Sequence, residues 1–255
     1  MDICDIKDEI MVEIFESERL IFKPFSELSA EEKKIVGDSW SNPFNARYNT
    51  MRDAYASVEE LAKQPEPTFN NLEDYDDCMY FRVAFLKATG ELVATCRFGK
   101  YYHSKTADYW DFGFNVLLKH WFKGLGAEMV KTIIEIAKTH GVNKINGGAD
   151  IENYGSYKAM VKNGFDYVGY DDDGDYKYVL DLNEQGKSKQ EIDKVWKEHL
   201  DRTKKDLGED KFNRLAKINE KIAEMVKRIQ QGEDEDLLVD KYFKELNKIE
   251  PFKFN

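Results

Sequence analysis

Short runs of β-branched and aromatic residues dominate the first 182 positions, and longer charged stretches with apolar residues every three or four positions fill the rest. Over residues 19–25, Leu20, Ile21, Phe22 and Phe25 sit beside charged Arg19 and Lys23, and Pro24 and Ser26 close the run. That is the pattern of a short strand. A helix is expected over 29–37, capped by Ser29 and stopped by Gly37, and another over 57–63, where Ser57 and Glu60 form a capping box. Between them, residues 40–55 hold Asn, Arg and aromatics without a period, which predicts a loop or broken helix of the kind that lines sites.

Two β-rich runs, 80–87 and 92–101, flank the turn Ala88-Thr89-Gly90-Glu91 and predict a hairpin, with a third strand over 108–116. Met129, Val130, Ile133, Ile134 and Ile136 then recur at helical spacing over 127–140, with Gly141 as C-cap. A strand over 144–149, a helix over 154–163 and a hairpin of 165–170 with 176–182 complete an α/β alternation. Beyond Asn183 only three charged helical patterns remain, at about 189–206, 210–231 and 235–248, separated by Gly208 and Gly232. The expected division is therefore 1–182 as an α/β (α+β) domain and 183–255 as an all-α extension.

Charge sharpens this division. The net charge is −11, yet residues 183–255 hold 17 basic and 17 acidic side chains, so the first 182 carry the whole excess, 21 against 32. Such a field disfavours nucleic acid and anionic membranes as partners and favours a cationic one. The three cysteines form no Cys-x-x-Cys pair, the start lacks a basic and apolar leader, and no run approaches 18 apolar residues. These features predict a cytoplasmic protein. The four histidines lack metal-ligand spacing, and the acidic turn 171–175 has Leu182 where a calcium loop needs Glu, so no metal is expected.

Candidate chemistry centres on the strand over 111–116, a loop, and Gly124-Leu125-Gly126-Ala127-Glu128 opening a helix. A helix N-terminus offers unpaired N–H groups and partial positive charge, and glycines let a pyrophosphate approach the backbone. No Gly-Lys-Ser/Thr follows, which excludes a Walker loop. The mid-chain position after an apparently antiparallel meander disfavours a Rossmann start.

Trp121-Phe122-Lys123-Gly124-Leu125-Gly126-Ala127-Glu128 resembles, without a gap, the Trp-Gly-Lys-Gly-Tyr-Ala-Thr-Glu signature of the ribosomal-protein N-acetyltransferase branch of the GNAT superfamily. Ser17-Glu18-Arg19-Leu20 is similar to that branch's opening strand and Asp111-Phe112-Gly113-Phe114-Asn115-Val116 to its Glu-Ile-Gly-Tyr-Trp-Leu strand. Asn153-Tyr154-Gly155-Ser156 with Lys162-Asn163-Gly164-Phe165 is similar to its Asn-x-x-Ser...Lys-Leu-Gly-Phe ending. The resemblance covers about 17–182. It implies a mixed, mostly antiparallel twisted sheet flanked by helices, acetyl-CoA as co-substrate and transfer of the acetyl group to a primary amine by direct attack.

It further implies a pyrophosphate on the backbone of Phe122, Lys123, Gly124, Leu125, Gly126 and Ala127, with Phe122 replacing glycine at negative φ. Trp121 either borders the cofactor or packs in the core, and the pantetheine pairs with backbone near Val116. Asn153 contacts the cofactor or caps the helix, and Ser156 protonates the leaving thiolate. Many family members place a tyrosine acid where this chain has Met160. Asp111 is the candidate base, against the alternative of a solvated strand carboxylate. The rival function is a non-catalytic acyl-CoA-binding sensor or scaffold. The apolar stripe of Phe212, Leu215, Ile218, Ile222, Met225, Val226 and Ile229 predicts either packing within the chain or a homodimer through the C-terminal helices.

Overall fold

The computed structural model describes residues 14–48, 79–100, 109–171 and 174–250. The helix expected over 57–63, Cys4 and Cys78 lie outside them. Among the described residues the period-two runs form one eight-stranded sheet in the order β1-β2-β3-β4-β5-β6-β8-β7. Its strands are β1 (Phe15–Glu16), β2 (Leu20–Pro24), β3 (Met79–Leu86), β4 (Leu92–Lys100), β5 (Tyr109–Val116), β6 (Lys144–Ala149), β7 (Asp166–Tyr170) and β8 (Tyr176–Asp181). Every pairing is antiparallel except β5 with β6. That parallel pair requires a crossover, supplied by helix α3 (Leu125–Thr139).

Helix α1 (Ala30–Ser41) begins at the expected Ser29 cap, which forms a capping box with Glu32, each side chain bonding the other's backbone. It does not stop at Gly37. Buried Val36 anchors the helix, a Ser39 hydroxyl returns to the Val36 carbonyl at 3.0 Å, and this packing outweighs the roughly 1 kcal/mol that mid-helix glycine costs. Asn42 then caps the four-residue helix α2 (Pro43–Ala46), with Pro43 at the position where a missing N–H costs nothing. The first part of the expected loop is therefore helical, and residues 49–55 lie outside the described set.

One face of the sheet packs on α3 and α4 (Tyr154–Lys162) through Phe112, Met129, Ile133, Ile145, Met160 and Phe165. The other face receives α1 through Val36, Val83, Phe85 and Leu117. The expected C-terminal helices are α5 (Lys189–Leu207), α6 (Glu209–Gln230) and α7 (Glu235–Leu246). On α5, Trp196 meets the Tyr154 ring edge-on at 4.8 Å and stacks on His199 at 4.9 Å. The apolar stripe of α6 is buried against Leu238, Tyr242 and Leu246 of α7 and against Phe44 and Leu118 from the sheet-bearing part.

Candidate active site

Past β5 the chain makes a short 3-10 turn, Leu118–His120, and enters α3 through Gly124, which sits in the left-handed region at φ 76. No side chain caps α3, so its first-turn N–H groups point outward for an anion. Gly126 is required by packing, because a Cβ there would lie 2.9 Å from Cε2 of Phe114. Phe122 corrects the expectation of negative φ: it stands at φ 61, the left-handed region its glycine counterpart in the signature enters freely. It is 66% exposed, so the strained residue projects from the loop. Lys123 and Gly124 are exposed as well.

The opening Ser-Glu-Arg motif has a physical role at this loop. Ser17 donates its hydroxyl to Glu128 at 2.7 Å, and Arg19 donates its backbone N–H and its Nε to the two oxygens of the same carboxylate at 2.8 and 2.6 Å. Arg19 also donates from Nη1 to the Lys123 carbonyl at 3.0 Å, clamping the loop to β2. Burial pushes the Glu128 carboxyl upward, but these donors outweigh it and hold it below its ordinary range. Trp121, half buried, donates its indole N–H to the Val116 carbonyl at 2.7 Å and packs against the α6–α7 cluster. It ties the loop to the end of β5, and that carbonyl is thereby taken.

Strands β5 and β6 pair only through Tyr109–Asp111 and Lys144–Asn146, then part. Beyond Asp111 the β6-facing edge of β5 has no strand partner among the described residues, which leaves a fork between the two strands. Gly147 on the β6 arm cannot be larger, since a Cβ would come 2.6 Å from Sδ of Met160 and 2.8 Å from Cε1 of Phe112. Met160 is thus a core residue beneath the fork. Asp111 sits where the strands separate and accepts the Phe112 N–H at 2.8 Å. Burial raises its carboxyl above the usual range, against the Arg97 charge, the Phe112 N–H, the Asn146 side chain and the Lys177 charge, which all favour the ionised form.

At the far side of the fork Asn153 caps α4, accepting the Ser156 N–H on Oδ1 at 3.1 Å. Capping occupies this oxygen, and Ser156 lies partly exposed in the first turn. Tyr157, missed from the sequence, is buried and donates its hydroxyl to the Ala149 carbonyl, with the Tyr176 carbonyl also within reach at 3.3 Å. Its phenol pins α4 to the end of β6, and burial pushes its pKa far up.

The longest helix, α6, spans the loops that follow the two parallel strands. At its start Lys211 pairs with Glu152 at 2.5 Å, and Glu152 also takes Arg47 from the end of α2 at 2.8 Å. At its end Gln230 donates to the carbonyls of Lys119 and Trp121 at 3.1 and 3.2 Å. Burial alone would raise the Glu152 carboxyl, but Lys211 and Arg47 lower it. Neighbouring Asp150 is raised by burial, with the Glu152 charge adding to it. None of these links is visible in sequence, because each joins residues more than 50 positions apart.

An uncapped helix start behind a glycine loop, at the mouth of a fork in a mixed sheet, defines a class: α/β proteins with backbone N–H groups free to bind an anion beside parted strands. Residues 19–166 match the family profile of the Acetyltransferase (GNAT) domain, and the chain belongs to that family of acetyltransferases. No curated protein matches the chain by sequence. Among solved structures, it is similar to a GNAT-family acetyltransferase from Bacillus anthracis (TM-score 0.53, 18% identity, 68% of this chain and 100% of that one). It is also similar to RimL, the ribosomal L7/L12 alpha-N-protein acetyltransferase in complex with coenzyme A (TM-score 0.54, 12% identity, 67% and 99%). A third is AAC(6')-Ib in complex with ribostamycin and coenzyme A (TM-score 0.52, 15% identity, 64% and 94%). At these identities the solved structures speak for the fold. Among the described residues no helix is long and apolar enough to cross a membrane.

Proposed function

We propose that the chain acetylates a primary amine by direct attack on acetyl-CoA, with Asp111 accepting the proton. Acetyl-CoA supplies the acyl thioester. The carrying observation is the half-buried Asp111 carboxyl where β5 and β6 part, held toward its protonated form by desolvation yet hydrogen-bonded to the Phe112 N–H and flanked by Arg97 and Lys177. A carboxyl raised in this way is a better proton acceptor near neutral pH than a solvated one. As the amine nitrogen bonds the acetyl carbon, Asp111 takes its proton, the carbon–sulfur bond breaks, and Ser156 is the proposed proton donor to the departing thiolate.

The backbone from Phe122 to Ala127 would hold the pyrophosphate, Val116 would border the pantetheine through its strand edge, and Trp121 and Asn153 would act by fixing the loop and α4. The acidic surplus of the first 182 residues favours a cationic amine, and buried, free Cys96 suits a reducing cytoplasm. Residues 1–182 would form the transferase unit, with 183–255 packed on it within one chain.

The test is thiol release from acetyl-CoA against polyamines, aminoglycosides and N-terminal peptides, with Asp111→Asn and Gly124→Asp alongside. Amine-dependent release that both substitutions abolish supports the reading. Tight acetyl-CoA binding with no amine-dependent release would instead identify a non-catalytic sensor.

A further inference from the structure

Asn146 faces Asp111 across the last paired position of β5 and β6. Its backbone alternates with Ile145 and Gly147, which point into the α3–α4 core, so its side chain lies on the opposite face, the one shared by Asp111. Only 7% of the residue is exposed. Its side chain lies close enough to the Asp111 carboxyl to favour the ionised form of that group. Among the described residues its Oδ1 has no hydrogen-bond partner.

A buried amide oxygen left unpaired is costly, of the order of 1–3 kcal/mol, and is retained where a ligand supplies the missing donor. The donor must reach the point where the strands part, beside the proposed base. We propose that Asn146 is a substrate-orienting and specificity-determining residue: its Oδ1 accepts one N–H of the acceptor amine while Asp111 accepts the other. The inference rests on the proposed amine transfer and names the residue that enforces its choice of a primary amine.

Two acceptors side by side demand two N–H bonds on the attacking nitrogen. A neutral primary amine has both, and its lone pair remains free for the thioester carbon. As that bond forms, the N–H facing Asp111 is transferred to the carboxylate, the electrons of the carbon–sulfur bond leave with the thiolate, and the N–H held by Asn146 stays on the product amide. A secondary amine offers one N–H, so one buried oxygen stays unpaired through the reaction. Sites built around such an acceptor reject analogues lacking the donor strongly. The chain is therefore a primary-amine acetyltransferase by construction of this strand pair.

The experiment uses the full chain, the best primary amine from a panel of alkyl diamines, aminoglycosides and alanyl peptides, and the N-methyl derivative of that amine. The ratio of kcat/KM for the two is measured in wild type, Asn146→Leu and Asn146→Asp. Leu keeps the volume and removes the acceptor, so the preference for the primary amine should fall about tenfold or more. Asp keeps an oxygen at the same place, so the preference should survive even where the second carboxylate lowers kcat. A thermal melt and an acetyl-CoA isotherm on each variant separate misfolding from lost orientation, and if Leu does not fold the Asp variant carries the test alone. An unchanged ratio in Leu, or a lost one in Asp, overturns the inference while leaving Asp111-dependent transfer standing. Absence of turnover with every primary amine overturns both this inference and the proposed activity.

Discussion

Phe122 offers a measurement of strain at the cofactor loop. An L-residue in the left-handed region costs about 1–2 kcal/mol, and Phe122 stands there at φ 61. The residue is 66% exposed, and among the described residues its one ring contact is the Trp121 ring, edge-on at 6.4 Å, worth roughly 0.5 kcal/mol. Phe122→Gly removes the strain and the contact, and its freer unfolded chain costs about 0.4–1 kcal/mol, so the net change is within about 1 kcal/mol of zero. Phe122→Ala removes the contact but keeps the strained φ. Glycine should therefore exceed alanine by about 1 kcal/mol, or about 2–4 °C in melting temperature for a chain of this size. Urea unfolding of both variants with equal slopes provides the comparison, and calorimetry should find acetyl-CoA bound by the glycine variant at least as tightly as by wild type. Alanine as stable as glycine would refute the argument, since it would mean that the backbone there is not left-handed in solution.

Asp111→Asn should cut amine-dependent thiol release about a hundredfold or more, the usual worth of a positioned base. The same change should stabilise the fold at neutral pH. A carboxyl whose folded pKa is raised destabilises the native state once pH climbs above its unfolded value, by about 1.4 kcal/mol per unit of the rise until the folded pKa is passed. The wild-type stability lost on that climb should vanish in Asn, and the acidic limb of kcat/KM should lie above the ordinary carboxylate range. Gly126→Ala should cost about 1–3 kcal/mol, because its Cβ meets the Phe114 ring at 2.9 Å, and chemical denaturation would read it. Glu152→Gln should destabilise by about 2–3 kcal/mol, since it removes the carboxylate beside Arg47, whose side chain is 4% exposed. Lys211→Met, on the more open arm of the same pair, should cost under about 1 kcal/mol, and equal losses in the two variants would contradict this ordering.

The strands, α3, α4 and the three C-terminal helices were legible because each carries its own period and its own punctuation. Gly141 closes α3 and Gly208 turns the chain into α6. Gly37 misled because a mid-helix glycine looks like a stop until Val36 is seen to be wholly buried, and that burial is a tertiary fact. Phe122 misled differently: residue identity predicts negative φ, whereas the loop imposes the geometry of the glycine it replaces. Near the candidate site, the glycine turn into α3 was readable from local pattern. Asn146 was not, because an asparagine inside a short strand carries no signal until the parallel register sets it opposite Asp111.

The C-terminal helices illustrate the same limit and bear on the mechanism. Composition changes at 183, but packing does not: the α6–α7 cluster includes Phe44 and Leu118, so its core is built from both sides of that boundary. A helix of 22 residues is about 33 Å long, enough to reach from Glu152 after β6 to the Trp121 carbonyl before α3. Both anchors lie at the ends of the arms of the fork. The separation of β5 and β6 is thus braced from outside by a rigid rod, joined at one end to a buried ion pair and at the other to two loop carbonyls. A strand pair that has lost its ladder needs such a brace, because beyond Asp111 no backbone hydrogen bond between β5 and β6 fixes their distance. On this argument Gln230→Ala should leave the fold intact but loosen the loop at Lys119 and Trp121, raising the acetyl-CoA dissociation constant several-fold with little change in melting temperature. A large fall in melting temperature with unaltered affinity would assign Gln230 to the helical core instead.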